Sequence, residues 1–369
     1  TTGSTIYCRS YKFDMSDSTF NNIKPGVNRA IMYINLDEND GLQPRITNCT
    51  FNDNLGRIEF ASGDGETVSG SSVTFSKCHI YNSFKGYSQA SGLFILGYIK
   101  SENIIIEDCT FERNGGICIY QDAGSKTIYN TNIVRCTFSN NEGPSGCCIK
   151  SDKTGSFDKK IIIEDCIFKY NTATSVDSNG FKHGCVQTYP GNTEFKGVNE
   201  FIGNKNIVKE SISSDASKSL GGSLTIYQTD RRNEYTISNL IFQDSYSDYY
   251  GGALGILSYD YVGGESSSLF VQIDNCTFIN CSSKEQGGCI KFGMKLFIEN
   301  RYFTDDINIT NCIFTNCQSA EGGALYFMNG DQKGDEETVI QNCTFDGCSA
   351  TTTGSTIYCR SYKFDMSDS

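Results

Sequence analysis

The chain has 369 residues, a net charge of −12, 37 glycines, 4 prolines, no tryptophan and 18 cysteines. This negative balance disfavours nucleic acid and anionic membranes as partners, and no stretch reaches the ~18 apolar residues of a membrane-spanning helix. So many cysteines in a long chain favour an oxidising compartment, which means an extracellular or cell-surface location.

The opening of the chain returns at its end. Residues 1–18 and 352–369 are identical letter for letter. We interpret the chain as one 351-residue period of a tandem array plus the start of the next copy, cut from a continuous molecule in the middle of a repeat. Cys8 and Cys359 are then one position, which leaves an odd number of cysteines in each period.

A shorter repeat runs through the whole period, as in Ile-Thr-Asn-Cys-Thr-Phe at 46–51 and Ile-Gln-Asn-Cys-Thr-Phe at 340–345. Its last residue, here called the marker residue, recurs at intervals of 26 to 41 residues. A second signature, two glycines or a relative of them followed by a small and an apolar residue, follows most markers, with its clearest form at 251–254. The eleven marker residues are Phe20, Phe51, Ile80, Phe111, Phe138, Phe168, Phe201, Phe242, Phe278, Phe314 and Phe345.

Short strands bounded by Asn and Gly cannot each bury an apolar face, whereas stacked turns place Phe on Phe and Ile on Ile. The sequence therefore predicts an all-β fold, a right-handed parallel β-helix (β-solenoid) of about eleven turns per period, because parallel crossovers are right-handed. We expect residues 1–369 to form a single continuous β-solenoid, in which 1–18 and 352–369 are equivalent segments of successive repeats. Uneven spacing predicts loops of different size, the longest near 203–221 and 255–270.

The two signatures together resemble the repeats of the chlamydial polymorphic outer membrane proteins and related β-helix surface proteins. Phe-x-x-Asn occurs at 111–114, 138–141, 168–171 and 201–204, and Gly-Gly-Ala-Leu occurs at 251–254 and 322–325. The resemblance covers nearly the whole chain and implies a right-handed β-helix. It also implies a surface-exposed, adhesive passenger domain, although that family does not require reiteration of a 351-residue unit.

The cysteines fall into columns set by their distance from the marker. One column lies two residues before the marker, and a second, formed by Cys281, Cys317 and Cys348, lies three residues after it. Cys118, Cys148 and Cys185 share the small-residue position, with Cys289 further along.

Stacked residues are ~4.8 Å apart, which a disulfide can span, so we expect bonds between turns, first in the column of Cys281. The alternative is packed thiols. Metal binding is not expected, because linear stacks lack paired ligand motifs, and no cofactor is predicted.

Asn and Asp recur three residues before the marker, which predicts a side-chain ladder at a bend that satisfies backbone groups. Five asparagines begin Asn-x-Ser/Thr sequons and are candidates for covalent glycans. Asn308 should point outward from a strand, and Asn280 should lie at a turn, so these two are favoured. The remaining three, which we expect in an inward-turn column, are Asn48, Asn275 and Asn342.

An enzyme must be weighed, because many right-handed β-helices cleave acidic polysaccharides. Lys182-His183-Gly184 and Asp305-Asp306 faintly resemble galacturonase motifs, but they lie about four turns apart, too far for carboxylates that cooperate at ~5–9 Å. His183 and the other histidine, His79, are therefore interpreted as non-catalytic. The acidic loops Asp37–Asp40 and Asp331–Glu337 lack regular calcium-ligand spacing and are interpreted as solvated.

Three functions remain open at this point. The first is a repeating structural unit of an extracellular, glycosylated β-solenoid filament that associates with itself end to end, because open strand edges invite pairing. The second is an adhesin whose exposed tyrosines stack on sugars. The third, which the motifs support least, is a polysaccharide-cleaving enzyme. The tyrosines considered are Tyr246, Tyr249, Tyr250, Tyr259 and Tyr261.

Overall fold

The computed structural model describes residues 5–9, 12–25, 30–35, 43–61, 68–83, 90–96, 101–122, 129–151, 160–175, 182–188, 193–208, 219–228, 233–258, 268–293, 304–328, 337–360 and 363–369. Within these ranges the regular structure is strand, and no α-helix occurs. Most of the two longest predicted loops lies outside the described residues, as do Tyr259, Tyr261 and both acidic loops apart from Glu337.

The first half of the strands lies between residues 6 and 188. They are β1 (Ile6–Arg9), β2 (Asp14–Ser16), β3 (Thr19–Asn21), β4 (Ala30–Asn35), β5 (Arg45–Thr47), β6 (Thr50–Asn52), β7 (Arg57–Ala61), β8 (Val68–Ser76), β9 (His79–Tyr81), β10 (Ala90–Leu96), β11 (Ser101–Glu107), β12 (Thr110–Glu112), β13 (Ile117–Asp122), β14 (Asn130–Val134), β15 (Thr137–Ser139), β16 (Glu142–Pro144), β17 (Ile149–Ser151), β18 (Ile161–Glu164), β19 (Ile167–Lys169), β20 (Thr172–Ser175), β21 (Lys182–His183) and β22 (Val186–Thr188).

The second half lies between residues 193 and 367. They are β23 (Thr193–Lys196), β24 (Asn199–Ile202), β25 (Lys205–Asn206), β26 (Ser219–Leu220), β27 (Leu224–Gln228), β28 (Asn233–Ser238), β29 (Leu240–Gln243), β30 (Tyr246–Ser247), β31 (Leu254–Ser258), β32 (Ser268–Asp274), β33 (Thr277–Ile279), β34 (Ser282–Ser283), β35 (Ile290–Phe292), β36 (Thr304–Thr310), β37 (Ile313–Thr315), β38 (Gln318–Glu321), β39 (Leu325–Met328), β40 (Glu337–Gln341), β41 (Thr344–Asp346), β42 (Ser349–Thr353), β43 (Ile357–Arg360) and β44 (Lys363–Ser367).

The strands belong to two compact units. The first contains Thr1–Asn171 and Asn192–Glu194, and the second contains Thr172–Gly191 and Phe195–Ser369. In the first unit, each turn contributes one strand to each of three parallel sheets, whose orders are β1-β4-β7-β10-β13-β17, β2-β5-β8-β11-β14-β18 and β3-β6-β9-β12-β15-β19.

The second unit repeats this arrangement and adds a further sheet. Its main sheets have the orders β22-β27-β31-β35-β39-β43, β24-β29-β33-β37-β41, β28-β32-β36-β40-β44 and β20-β25-β30-β34-β38-β42. The pairings within these sheets are parallel, as between β29 and β33 and between β36 and β40. The marker residues lie on six strands of the first unit and five of the second, which confirms eleven turns.

The core is a stack of marker rings. The Phe278 ring lies 5.0 Å from Phe242 and 4.8 Å from Phe314, centroid to centroid. In the first unit, Phe138 lies 4.9 Å from Phe111 and 4.8 Å from Phe168. These rings are fully buried. Burial of one Phe side chain stabilises the folded state by about 1.5–3 kcal/mol. The predicted stacking of Phe on Phe is therefore a main stabilising element of the fold.

Two corners with positive φ bound each marker strand. One lies three residues before the marker, as at Asn275 (φ 50°), or four before it at Gly197, and the other lies two residues after the marker, as at Asn280 (φ 52°). Asn and Asp tolerate this left-handed region better than other non-glycine residues, which explains their recurrence. The predicted bend is therefore confirmed, and it is one of a pair.

The double glycines make a third corner. Gly251 and Gly287 have φ of 58° and 66°. The glycine that follows each, Gly252 or Gly288, has no room for a Cβ atom, because it would meet the backbone carbonyl oxygen of the next turn. Both glycines are needed, the first for its conformation and the second for close backbone approach.

Candidate functional site

The cysteines two residues before the marker are packed thiols. The backbone N–H of Cys49 donates to the Sγ of Cys78 at 3.4 Å, and that of Cys276 donates to Cys312 at 3.4 Å. Burial raises the pKa of Cys136, so its thiolate is disfavoured. This agrees with the packed-thiol alternative. The column contains the buried cysteines Cys49, Cys78, Cys109, Cys136, Cys166, Cys276, Cys312 and Cys343.

The disulfide in the described part of the chain joins Cys317 to Cys289, with Cα atoms 6.0 Å apart. Cys317 was a predicted disulfide residue, but its expected column partners, Cys281 and Cys348, are free thiols. The expectation of bonds within a column is therefore wrong here. Residues stacked in one column point the same way, whereas this bond joins the small-residue position of one turn to the next turn's cysteine column.

The predicted disulfides of the small-residue column are not formed either. Cys118, Cys148 and Cys185 are fully buried thiols, and the Cys185 thiol donates to the carbonyl oxygen of Lys205 at 3.7 Å. At this position the cysteines act as small apolar side chains.

The paired position that holds Cys289 and Cys317 recurs on other turns. Two turns earlier it holds Ser223 and Ser245, whose buried hydroxyl oxygens are 2.8 Å apart. On the intervening turn it holds Ala253 and Cys281. By position, the free thiol of Cys281 therefore has Ala253 as its counterpart, whereas Cys317 has Cys289.

Replacing Ala253 by cysteine is expected to create a second disulfide, to Cys281. The residue separation would equal the 28 residues between Cys289 and Cys317, and closing such a loop contributes about 3 kcal/mol. Non-reducing peptide mapping should recover a linked 253–281 pair, and the denaturation midpoint should rise. The Ala253→Ser control should show neither effect. Pairing of the new cysteine with any residue other than Cys281 would contradict the assignment of paired positions.

The sequon asparagines lie at corners and on one strand. Asn48, Asn275 and Asn342 are exposed at the corner before the marker, so their assignment to an inward-turn column was wrong. The reason is the left-handed backbone, which turns the side chain out of the core. Asn280 is exposed at the second corner, and Asn308 is half-buried on β36.

These corner side chains form a ladder, although not to the backbone as predicted. The amide nitrogen Nδ2 of Asn275 donates to Oδ1 of Asn239 at 2.8 Å, and that of Asn342 donates to Oδ1 of Asn311 at 2.7 Å. Asn48 donates in the same way to Asp17 at 2.6 Å. These three corners are thus tied to the turn before them by a side-chain hydrogen bond.

The asparagines that do serve the backbone are those of Phe-x-x-Asn. Asn141 is fully buried, accepts the N–H of Asn114 at 2.9 Å and donates to the carbonyl oxygen of Phe111 at 3.0 Å. Asn171 repeats this pattern on Asn141 and Phe138. The motif itself was visible in the sequence, but its role as a buried ladder was not identified from it.

The residues considered for catalysis are separated by element and by burial. His183 is buried on β21, whereas Asp306 is exposed on β36 and accepts the N–H of Glu337 at 3.0 Å. His79 lies 3.4 Å from the carboxylate of Glu112. A buried histidine offers no contact to a polysaccharide.

The tyrosines proposed to bind sugars are only partly available. Tyr250 is buried, Tyr249 is half-buried, and the hydroxyl of half-buried Tyr246 donates to Asp248 at 2.9 Å. The described tyrosines therefore do not present one exposed aromatic platform.

Lys291 is a buried cation that the sequence did not reveal. It lies on β35 with its side chain 2% exposed, and its Nζ is 3.8 Å from the Tyr326 ring centroid and 5.8 Å from that of Tyr250. Burial lowers its pKa to about 7, which Glu321 opposes only in part. Parallel backbone bridges join Tyr250 to Gln286 and Gln286 to Glu321 on these successive turns.

Two further features are absent from the described residues. No group of three or more His, Cys, Asp and Glu side chains is arranged to hold a metal ion. No helix there is long and apolar enough to cross a membrane.

Comparison with known proteins identifies the fold family. The model of the right-handed β-helix region matches residues 32–239, which is more than half of the chain. Searches among curated proteins and among solved structures gave no match. The matched range contains most marker turns of the first unit and the start of the second, and the sheets are parallel throughout the pairings given above. The predicted fold class is thus confirmed, and the chain belongs to the right-handed parallel β-helix family.

Proposed function

We propose that this chain is the repeating unit of an extracellular β-solenoid filament, in which each copy continues the solenoid of the copy before it. The observation that carries the proposal is that the two identical segments form equivalent strands, which are β1 and β2 at the start and β43 and β44 at the end. The strands at the start pair with the turn that follows them, and the strands at the end pair with the turn that precedes them.

The contacts of the shared strand are complementary. Tyr358 on β43 stacks on Tyr326 of the preceding turn with ring centroids 4.6 Å apart. The same tyrosine at the start, Tyr7 on β1, stacks on Tyr33 of the following turn at 5.5 Å. In a continuous array, one strand makes both contacts, and its tyrosine gains a stacked ring on each side.

The apolar side chains at the end strand support the same assembly. Phe364 and Met366 on β44 are 45% and 42% exposed. Their equivalents at the start are half-buried, and Met15 on β2 is paired with Ile46 of the next turn. Continuation of the array covers these side chains and also pairs the open strand edge, which otherwise invites association.

Location and partners follow as further parts of the proposal. The cysteine content and the resemblance of the repeats to polymorphic outer membrane proteins support a cell-surface or extracellular site. The partner of each copy is another copy of itself, and the chain carries covalent glycans rather than a cofactor.

Hydrogen exchange in a two-copy chain tests the junction. Residues 1–351 would be joined to a full second copy, with an exposed Asp365→Glu change at the junction so that its peptides are recognised by mass. The junction strand equivalent to Ile357–Arg360 should exchange more slowly than the same strand at the free end, because both edges are paired. Leu325–Met328 is the matched control and should be protected in both copies. Equal, fast exchange at both positions would refute continuation.

A further inference from the structure

The three sequons at the corner before the marker, counted from Asn275 into the next copy of the repeat, are two turns apart. Asn275 and Asn342 begin sequons two turns apart, and the corner between them is Asn311. Asn311 lacks a sequon because Ile313 stands where the other two turns have Thr277 and Thr344, its register neighbours. Ile313 is 45% exposed, so no core contact explains the apolar residue at this position.

The next interruption has a different cause. After Asn342, the following corner of an array is Asp17, and the one after that is Asn48, which begins a sequon. On the Asp17 turn the hydroxyl residue, Thr19, is retained and the asparagine is replaced. One turn therefore loses its sequon at the hydroxyl and the other at the amide, and both substitutions leave acceptors at every second turn from Asn275 to Asn48 of the following copy. The six corners between Asn48 and Asn275 within one copy have no sequon.

The ladder is chemically compatible with glycans. An asparagine amide has two N–H donors, and the ladder bonds of Asn48, Asn275 and Asn342 use one from each. Attachment of a sugar replaces one hydrogen of Nδ2, so the other can keep the ladder bond. The side chains are exposed at this corner, and acceptors two turns apart are separated by about 9.6 Å rather than ~4.8 Å.

We propose that Asn275, Asn342 and Asn48 of the following copy carry N-linked glycans, forming a row at every second turn that crosses the junction between repeats. In the reaction, Nδ2 bonds to the anomeric carbon of a sugar carried on a lipid diphosphate. The carbon–oxygen bond to the diphosphate breaks, and the diphosphate leaves with the proton equivalent lost from Nδ2. The crossing of the junction rests on the proposed filament, whereas the sites within one copy do not.

Glycopeptide mapping of the 369-residue chain secreted from a eukaryotic host tests the row. Enzymatic release of N-glycans in heavy-oxygen water should convert Asn48, Asn275 and Asn342 to labelled Asp. Unmodified Asn275 and Asn342 would overturn the proposal. Because this map uses one copy, it is independent of filament formation. Occupied sites in a two-copy chain whose junction strand exchanges fast would reject the filament and leave the sites standing.

A variant tests the spacing itself. Ile313→Thr creates a sequon at Asn311, one turn from both neighbours, and Ile313→Ala is the control without a sequon. Intact-mass and glycopeptide analysis should show no molecule that carries glycans at Asn275, Asn311 and Asn342 together. Molecules with all three would refute the spacing rule. Both variants change an exposed residue, and unchanged far-ultraviolet circular dichroism should confirm that each is folded.

Discussion

Replacement of Phe278 by alanine is expected to lower the free energy of unfolding by about 3–5 kcal/mol, the usual cost of removing a fully buried ring. The ring lies between Phe242 and Phe314 and is 0% exposed. Its loss opens a cavity in the stack that neighbouring turns cannot close without breaking their backbone pairing. Chemical denaturation followed by circular dichroism measures the change.

Phe345 supplies a matched control that also reports on assembly. It stacks on Phe314 at 4.8 Å but is half-buried, and among the described residues no marker ring of a following turn stacks on its other face. Phe345→Ala should cost less than half as much in a single copy. In a two-copy chain, the same change in the first copy should cost as much as Phe278→Ala, since Phe20 of the next copy would cover it. A cost that stays small there would contradict end-to-end stacking.

Replacement of Lys291 by methionine is expected to stabilise the protein most at neutral and acidic pH. Burial lowers the pKa of Lys291 from 10.5 to about 7, so between these values the unfolded chain binds a proton that the folded chain does not. Stability contributed at this site therefore rises with pH across that window and is lowest below pH 7. The advantage of the variant should grow by about 4 kcal/mol from pH 10 to pH 6.

The measurement is the difference in unfolding free energy between wild type and variant at each pH. The difference is essential because buried thiols such as Cys281, whose pKa burial raises to about 12, titrate with the opposite sign. Lys205→Met, at an exposed lysine, is the control and should show no such pH dependence. A Lys291→Met advantage that does not change with pH would show that the folded site accepts the charged amine.

The sequence was sufficient for features that depend on position along the solenoid. Marker spacing predicted the stacked Phe column and the eleven turns, because stacking requires only that equivalent residues recur. The double glycines and the corner asparagines were likewise visible, since positive φ selects for particular residue types.

Features that depend on how one turn is folded in cross-section were not predictable. The Cys289–Cys317 bond joins two columns, and the period gives the spacing within a column but not the distance between columns. The outward direction of Asn275 depends on its φ of 50°. Lys291 alternates along β35 with the core residues Ile290 and Phe292, and its burial against the rings of Tyr326 and Tyr250 depends on how the turn is folded. The prediction of one continuous solenoid over residues 1–369 stays a prediction.

Electron cryomicroscopy of an array of several copies tests the central claim most directly. If each copy continues the previous one, eleven turns at ~4.8 Å give an axial repeat of about 53 Å, together with a reflection at ~4.8 Å along the filament axis. An unbroken filament with this repeat is the predicted result. Separate particles joined at variable spacing, without an axial repeat, would contradict the account.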